Sequence, residues 1–197
     1  PAGRVIELPF RDFLAEKPVS DEVFSFFLRQ FTYDKTPLKA TIESEEERPL
    51  GILQKISFDA AYGGERMLAY LYLPLRPKPP LQTVVLFPGS LAIHVSTVGQ
   101  NDFRRSDFLM KSGRAVMLPI YKGTYERGDE LNSDYPDQST FFKDHVIMWS
   151  KDLARSIDYL ETRTDIDSAK LAYYGISWGG PASCSTRRTA SRVHRVS

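Results

Sequence analysis

Three short, unbroken apolar runs constrain this chain most: Thr83-Val84-Val85-Leu86-Phe87, Ala115-Val116-Met117-Leu118 and, less purely, Leu171-Ala172-Tyr173-Tyr174. A strand with one wet face alternates apolar and polar residues. An unbroken run suits a strand covered on both faces, as in a parallel sheet. Helical segments separate the runs. One, about 102–112, is stopped by Gly113. The other, about 144–162, puts Val146, Trp149, Leu153, Ile157 and Leu160 on one face, with Asp144 able to cap its start. Upstream, Ile56, Phe58 and Ala60 alternate with Lys55, Ser57 and Asp59, the period of a half-buried strand. Met67 to Leu73 reads as its partner, with Gly63-Gly64 as the hairpin turn. The sequence therefore predicts an α/β domain, in which an antiparallel hairpin leads into a mostly parallel sheet with helices on both faces.

Composition sets the limits around that core. With 197 residues, 42% of them hydrophobic, the chain is long enough to bury one domain's interior. The single cysteine, Cys184, excludes an intramolecular disulfide framework and a cysteine-rich zinc site. The apolar stretches, about six residues at most, are too short to span a bilayer. Pro1-Ala2-Gly3-Arg4 does not open a signal peptide. A cytoplasmic protein without a membrane partner is expected. The chain starts without Met, which reads as processing or as a cut from something longer.

Residues 1–50 read as an N-terminal linker or helical extension, punctuated by five prolines. One helix is predicted there, about 20–31. Ser20 is its N-cap, Asp21 and Glu22 suit the positive end of the helix dipole, and Val23, Phe24, Phe27, Leu28 and Phe31 form an apolar stripe. The stripe is expected to pack on the main domain, with a lid over a substrate pocket as the sharper alternative. The run Glu43-Ser44-Glu45-Glu46-Glu47 reads as a solvated loop and not as a metal site. Residues 51–180 form the predicted domain. Residues 181–197 differ: Arg187, Arg188, Arg192 and Arg195 occur there with no acid, so the formal net charge of +1 owes its sign to this tail. The tail reads as a disordered or frameshifted end, and no nucleic-acid partner is expected.

The chemistry sits where the third run ends, in Gly175-Ile176-Ser177-Trp178-Gly179-Gly180. This is G-x-S-x-G, the pattern of a nucleophile elbow, in which a strained strand-to-helix turn lifts the serine hydroxyl off the sheet. The pattern alone is weak, and its place after a predicted strand strengthens it. Phe87-Pro88-Gly89-Ser90 ends the first run and fits independently. An elbow enzyme holds the oxyanion with two backbone N–H groups. One follows the serine, here Trp178. The other comes from the loop after the earlier strand, here Ser90. Tyr121, Tyr125 and Trp178 are candidates to line the substrate pocket, because loops at the C-terminal ends of parallel strands face the site.

These residues, with Asp165-Ile166-Asp167 and Lys170 to Gly180, resemble the α/β-hydrolase superfamily. The resemblance is to the branch of prolyl oligopeptidases, acetyl xylan esterases and dienelactone hydrolases. Dienelactone hydrolases proper carry Cys at the elbow, so Ser177 points to the esterase and peptidase side. Residues 57–66 and Tyr121 to Gly128 are similar to hydrolase-like domains that follow some bacterial serine/threonine kinases. The resemblance implies a serine hydrolase of small-molecule ester or peptide substrates, with Ser177 as nucleophile and no metal or organic cofactor. The kinase-linked likeness implies an alternative, a non-catalytic sensor domain fused to a kinase. The chain also departs from the family. The triad order there is Ser, then an acid, then His. No acid follows Ser177, and His194 is the one downstream His. A fragment that ends soon after the elbow, inactive alone, is expected. His94, just past the oxyanion loop, is the candidate for an unusual base. His145 reads as a surface or packing residue, and Arg127-Gly128-Asp129 as a chance adhesion tripeptide.

Overall fold

The computed structural model describes residues 12, 14–137, 139–180 and 193–195. The basic tail falls almost entirely outside them. The chain divides into two compact units, Pro1–Gln30 and Phe31–Ser197. Within the first, α1 (Asp21–Arg29) forms as the sequence predicts, with Ser20 Oγ accepting the Val23 N–H; none of its residues is buried.

The second unit is built on one mixed sheet. Its strands are β1 (Thr41–Arg48), β2 (Gly51–Asp59), β3 (Arg66–Pro74), β4 (Leu81–Phe87), β5 (Ala115–Pro119), β6 (Ile166–Gly175) and β7 (Val193–Arg195), in the spatial order β1-β2-β3-β5-β4-β6-β7. β1, β2, β3 and β5 pair antiparallel in turn. β4 lies parallel to both β5 and β6, and β6 lies parallel to β7. The three apolar runs are therefore adjacent parallel strands.

Alternation along those strands divides the core. Val85 and Phe87 of β4 and Met117 of β5 join one cluster, which Trp149, Leu153, Ile157 and Leu160 of α4 (Thr140–Glu161) complete. Val84, Leu86, Val116 and Leu118 join a second, with Phe103 of α2 (Gln100–Arg104) and Leu109 and Met110 of α3 (Asp107–Lys111). Each fully buried Leu, Ile or Phe contributes on the order of 1.5–3 kcal/mol through lost apolar hydration, so the two clusters hold the sheet between them.

Four local expectations change. Glu43–Glu47 is not a loop but most of β1. Its burial pattern is almost wholly exposed, and its acids stand on an edge strand, where charge guards against pairing with another chain. Glu43 accepts from Ser57 Oγ, and Glu45 Oε2 from Gln54 Nε2 at 2.8 Å. The sheet thus begins before residue 51. The helix foreseen over 102–112 is two short ones, broken where both the N–H and the hydroxyl of Ser106 turn back to the Phe103 carbonyl at 2.8 Å. α4 starts four residues earlier than foreseen, because Ser139, not Asp144, caps it: Ser139 Oγ accepts from Phe142 N at 3.1 Å.

Candidate active site

β6 delivers Ser177 at the C-terminal edge of the parallel strands. The Ser177 backbone has φ +52°, in the left-handed region that costs an L-residue about 1–3 kcal/mol and that functional turns retain. The turn is fixed on both sides. Ile176 N donates to Phe87 O at 3.3 Å, Gly179 N to Ile176 O at 3.0 Å and Gly180 N to Ser177 O at 2.8 Å. Gly175 and Gly179 make the turn possible. A β-carbon on Gly175 would stand 2.3 Å from the Gly179 carbonyl oxygen, and one on Gly179 would stand 2.7 Å from the Phe87 carbonyl oxygen. Both contacts are with backbone, which cannot swing aside. Ser177 itself is exposed, whereas Trp178 and Gly179 are buried.

The Trp178 side chain is not among the residues lining the cavity at Ser177. The residue is 7% exposed, and its ring packs edge-on against Phe87 at 5.2 Å and Trp149 at 4.7 Å between centroids. It anchors the elbow to α4, which leaves its backbone N–H as the part adjoining the nucleophile. Tyr121 also stands in the core. It is fully buried, its ring lies 4.1 Å from Phe87, and its hydroxyl donates to Leu86 O at 3.1 Å. It follows β5 by two residues and joins the core cluster that holds Phe87, Trp149 and Trp178.

Tyr125 does reach the site. A cavity of about 330 Å³ is lined by Ser177, Ile176, the Pro88-Gly89-Ser90 loop, Tyr125 and, from α2 and its end, Asp102 and Arg105. Ser90 opens a 3-10 turn, Ser90–Ile93, that Pro88 and Gly89 join to the end of β4. A β-carbon on Gly89 would stand 4.0 Å from Ser177 Cβ, so this loop and the elbow face each other closely. Tyr125 has φ +45° and is 4% exposed. Its hydroxyl donates to Asp102 Oδ1 at 2.8 Å, while Asp102 Oδ2 accepts from Gly99 N at 2.8 Å. Burial and the neighbouring Asp102 carboxylate push the Tyr125 hydroxyl far above its ordinary pKa, so it stays a donor.

The loop that carries Tyr125 is held by buried charge. Arg127 Nη1 donates to Asp152 Oδ2 at 2.8 Å and to Ile120 O at 2.8 Å, and Arg127 Nη2 donates to the Tyr62 hydroxyl at 2.7 Å. Tyr62 in turn donates to Asp152 Oδ1 at 2.8 Å, and Lys122 N to Oδ2 at 3.0 Å. Asp152 is fully buried on α4. Burial pushes its carboxyl above the usual range against the opposing pull of Arg127. Arg127-Gly128-Asp129 is therefore a structural joint: Asp129 Oδ2 meets His145 Nε2 at 3.0 Å, and His145, 2% exposed, also contacts the Phe141 carbonyl through Nδ1. His145 is a packing residue. His94 is exposed at the end of the 3-10 turn and is not among the residues lining the Ser177 cavity. His194 lies on β7, opposite Ala172 in the parallel register.

Asp102 and Arg105 carry no signal in the sequence that marks them for a site. The fold brings them to the Ser177 cavity, where Asp102 is held by the Tyr125 hydroxyl and the Gly99 N–H. No helix among the described residues is long and apolar enough to cross a membrane.

No family model and no curated protein sequence matches the chain. Solved structures do. An acetyl xylan esterase from Paenibacillus sp. R4 superposes with a TM-score of 0.61 at 19% identity, over 88% of this chain and 56% of its own. Acetyl xylan esterase 1 from Thermoanaerobacterium sp. JW/SL YS485 gives 0.67 at 15% identity, over 90% and 57%. A glucuronoyl esterase from Solibacter usitatus gives 0.55 at 15% identity, over 82% and 52%. The chain thus spans just over half the length of these esterases. At such identities the likeness is one of fold, and the fold is of the α/β-hydrolase type.

Proposed function

We propose that this domain is a serine hydrolase of ester substrates, acting through Ser177. One observation carries the reading: Ser177 is exposed at φ +52°, on a glycine-flanked turn that faces the Gly89-Ser90 loop across a cavity. In the reaction Ser177 Oγ attacks the ester carbonyl. The N–H groups of Trp178 and Ser90 hold the oxygen that gains charge, a contribution of roughly 3 kcal/mol per donor. A histidine takes the serine proton and passes it to the departing alcohol; water then cleaves the acyl-enzyme. Neither His94 nor His145 suits that task by position. The base and its acid are assigned to the part of the fold that the esterase structures possess beyond the length shared with this chain. Tyr125 forms a wall of the acyl or alcohol pocket. The neighbours' names support a carbohydrate ester as substrate over a peptide.

A fluorophosphonate probe applied to the domain extended through the rest of the fold tests the reading. Labelling at Ser177, lost in Ser177→Ala, is expected. A folded, extended domain that neither labels there nor cleaves simple esters overturns it. That outcome favours the second reading, a non-catalytic hydrolase-like sensor linked to a kinase. The exclusion of both described histidine side chains, His94 and His145, from the Ser177 cavity is what supports the alternative.

A further inference from the structure

A second and larger cavity, of about 630 Å³, opens on the other side of α2. β1, β2 and β3 supply its floor and α2 one wall. Its apolar surface comes from Leu53, Tyr72 and Phe103, and three cations converge on it: Arg48, Lys55 and Arg104. Lys55 is half-buried in the middle of β2, with its ammonium 5.7 Å from the centroid of the Tyr70 ring. Among the described residues, neither Lys55 nor Arg104 has a carboxylate partner within ion-pair distance. Arg48 Nη2 is taken by Glu46 Oε2 at 2.7 Å, but Arg48 Nε is buried with no hydrogen-bond partner among the described residues.

A half-buried lysine and a buried guanidinium nitrogen lose hydration that an aromatic face replaces only in part. A ligand acceptor restores it. The charges lining the cavity identify the acceptor. Arg48, Lys55 and Arg104 are opposed by Glu46 and Asp107, which leaves a single positive charge. That balance suits a monoanion, a carboxylate, better than a phosphate dianion. The volume lies in the range of small-molecule sites, and the aromatic walls suit a flat or apolar body behind the carboxylate.

We propose that this cavity binds a small amphiphilic carboxylate, an aromatic or aryl-alkyl acid, with its anionic end at Lys55 and Arg104 and its body against Tyr72 and Phe103. The site is separate from Ser177 and does not rest on the hydrolase reading. The two cavities share α2, since Phe103 and Arg104 face one and Asp102 the other.

Titration calorimetry of the chain with 3-phenylpropionate, and with its neutral analogue 3-phenylpropionamide, tests the proposal. The acid is expected to bind at least tenfold more tightly than the amide, since a hydrogen bond to a charged group is worth about 1.5–3 kcal/mol. Lys55→Met is expected to remove that preference, and Ser177→Ala to leave it unchanged. Ser44→Trp, at an exposed position of β1 that lines the cavity, is expected to block both ligands without touching the core. Equal affinity for acid and amide, unaltered acid binding in Lys55→Met, or no binding by a protein with a cooperative unfolding transition would each overturn it. Binding that Ser177→Ala abolishes would place the ligand in the other cavity and overturn it as well. Inorganic phosphate competing as strongly as the acid would remove the monoanion assignment.

Discussion

Gly175 passes beneath Gly179 so closely that a β-carbon on Gly175 would lie 2.3 Å from the Gly179 carbonyl oxygen. The contact is backbone against backbone at the base of the turn that presents Ser177. The two glycines of the elbow are thus one steric unit, and their spacing is a condition for the serine's exposure.

Gly175→Ala should therefore disrupt the elbow. Overpacking a well-packed site costs about 1–3 kcal/mol, and here no side chain can move to relieve it, so the upper part of that range is expected. Urea denaturation read by Trp fluorescence checks this, since Trp178 on the turn packs edge-on against Trp149 of α4. An unchanged midpoint would mean that the turn relaxes freely.

Ser177→Gly should act in the opposite direction. A serine at φ +52° holds strain that glycine does not feel. Glycine's greater freedom in the unfolded chain offsets part of the gain. A net stabilisation of about 0.5–1 kcal/mol is expected, together with loss of the nucleophile. A variant less stable than the parent would show that the strain is not stored at this residue.

Arg127→Met should leave Asp152 in the interior without its counter-charge, since Asp152 is wholly buried and the Arg127 side chain is 7% exposed. Breaking a buried pair from one side costs about 3–5 kcal/mol. The double variant Arg127→Met, Asp152→Leu should recover a large part of the loss. A double-mutant cycle in urea measures the coupling, and additive losses would contradict it.

Acid should weaken the fold partly through Asp165. Arg163 grips its carboxylate with Nε at 2.7 Å and Nη2 at 2.6 Å, which holds the Asp165 carboxyl below its ordinary value of 3.8. A lowered folded-state pKa gives stability that is present above 3.8 and is lost as pH falls through the folded value. Asp165→Asn should be less stable than the parent at pH 7, with the difference shrinking below pH 3.8. A constant gap across that range would assign the effect to something other than ionisation.

The 197-residue chain by itself should cleave p-nitrophenyl acetate no faster than its Ser177→Ala variant. Neither His94 nor His145 lines the Ser177 cavity, and loss of a triad base typically costs 10³-fold or more. Robust Ser177-dependent turnover would give the base's role to His194.

The sequence by itself determined the parallel strands, the amphipathic face of α4 and the elbow. Each is a local pattern: unbroken apolar runs, a 3.6-residue period, and small residues two places on either side of Ser177. β1 escaped it, because Glu43, Glu45, Glu46 and Glu47 read as solvated whether they stand in a loop or on an edge strand, and only pairing with β2 separates the two. Tyr121 and Tyr125, four residues apart, read alike; packing against Phe87 just past β5 holds one in the core, and the other, at φ +45°, lines the cavity. Only the tertiary structure placed Asp102 and Arg105 beside Ser177 and buried Asp152 against Arg127. Those relationships join residues from separate elements. They arise from how helices dock on the two faces of the sheet, a choice made by packing over long sequence separations and carried by no single stretch of the chain.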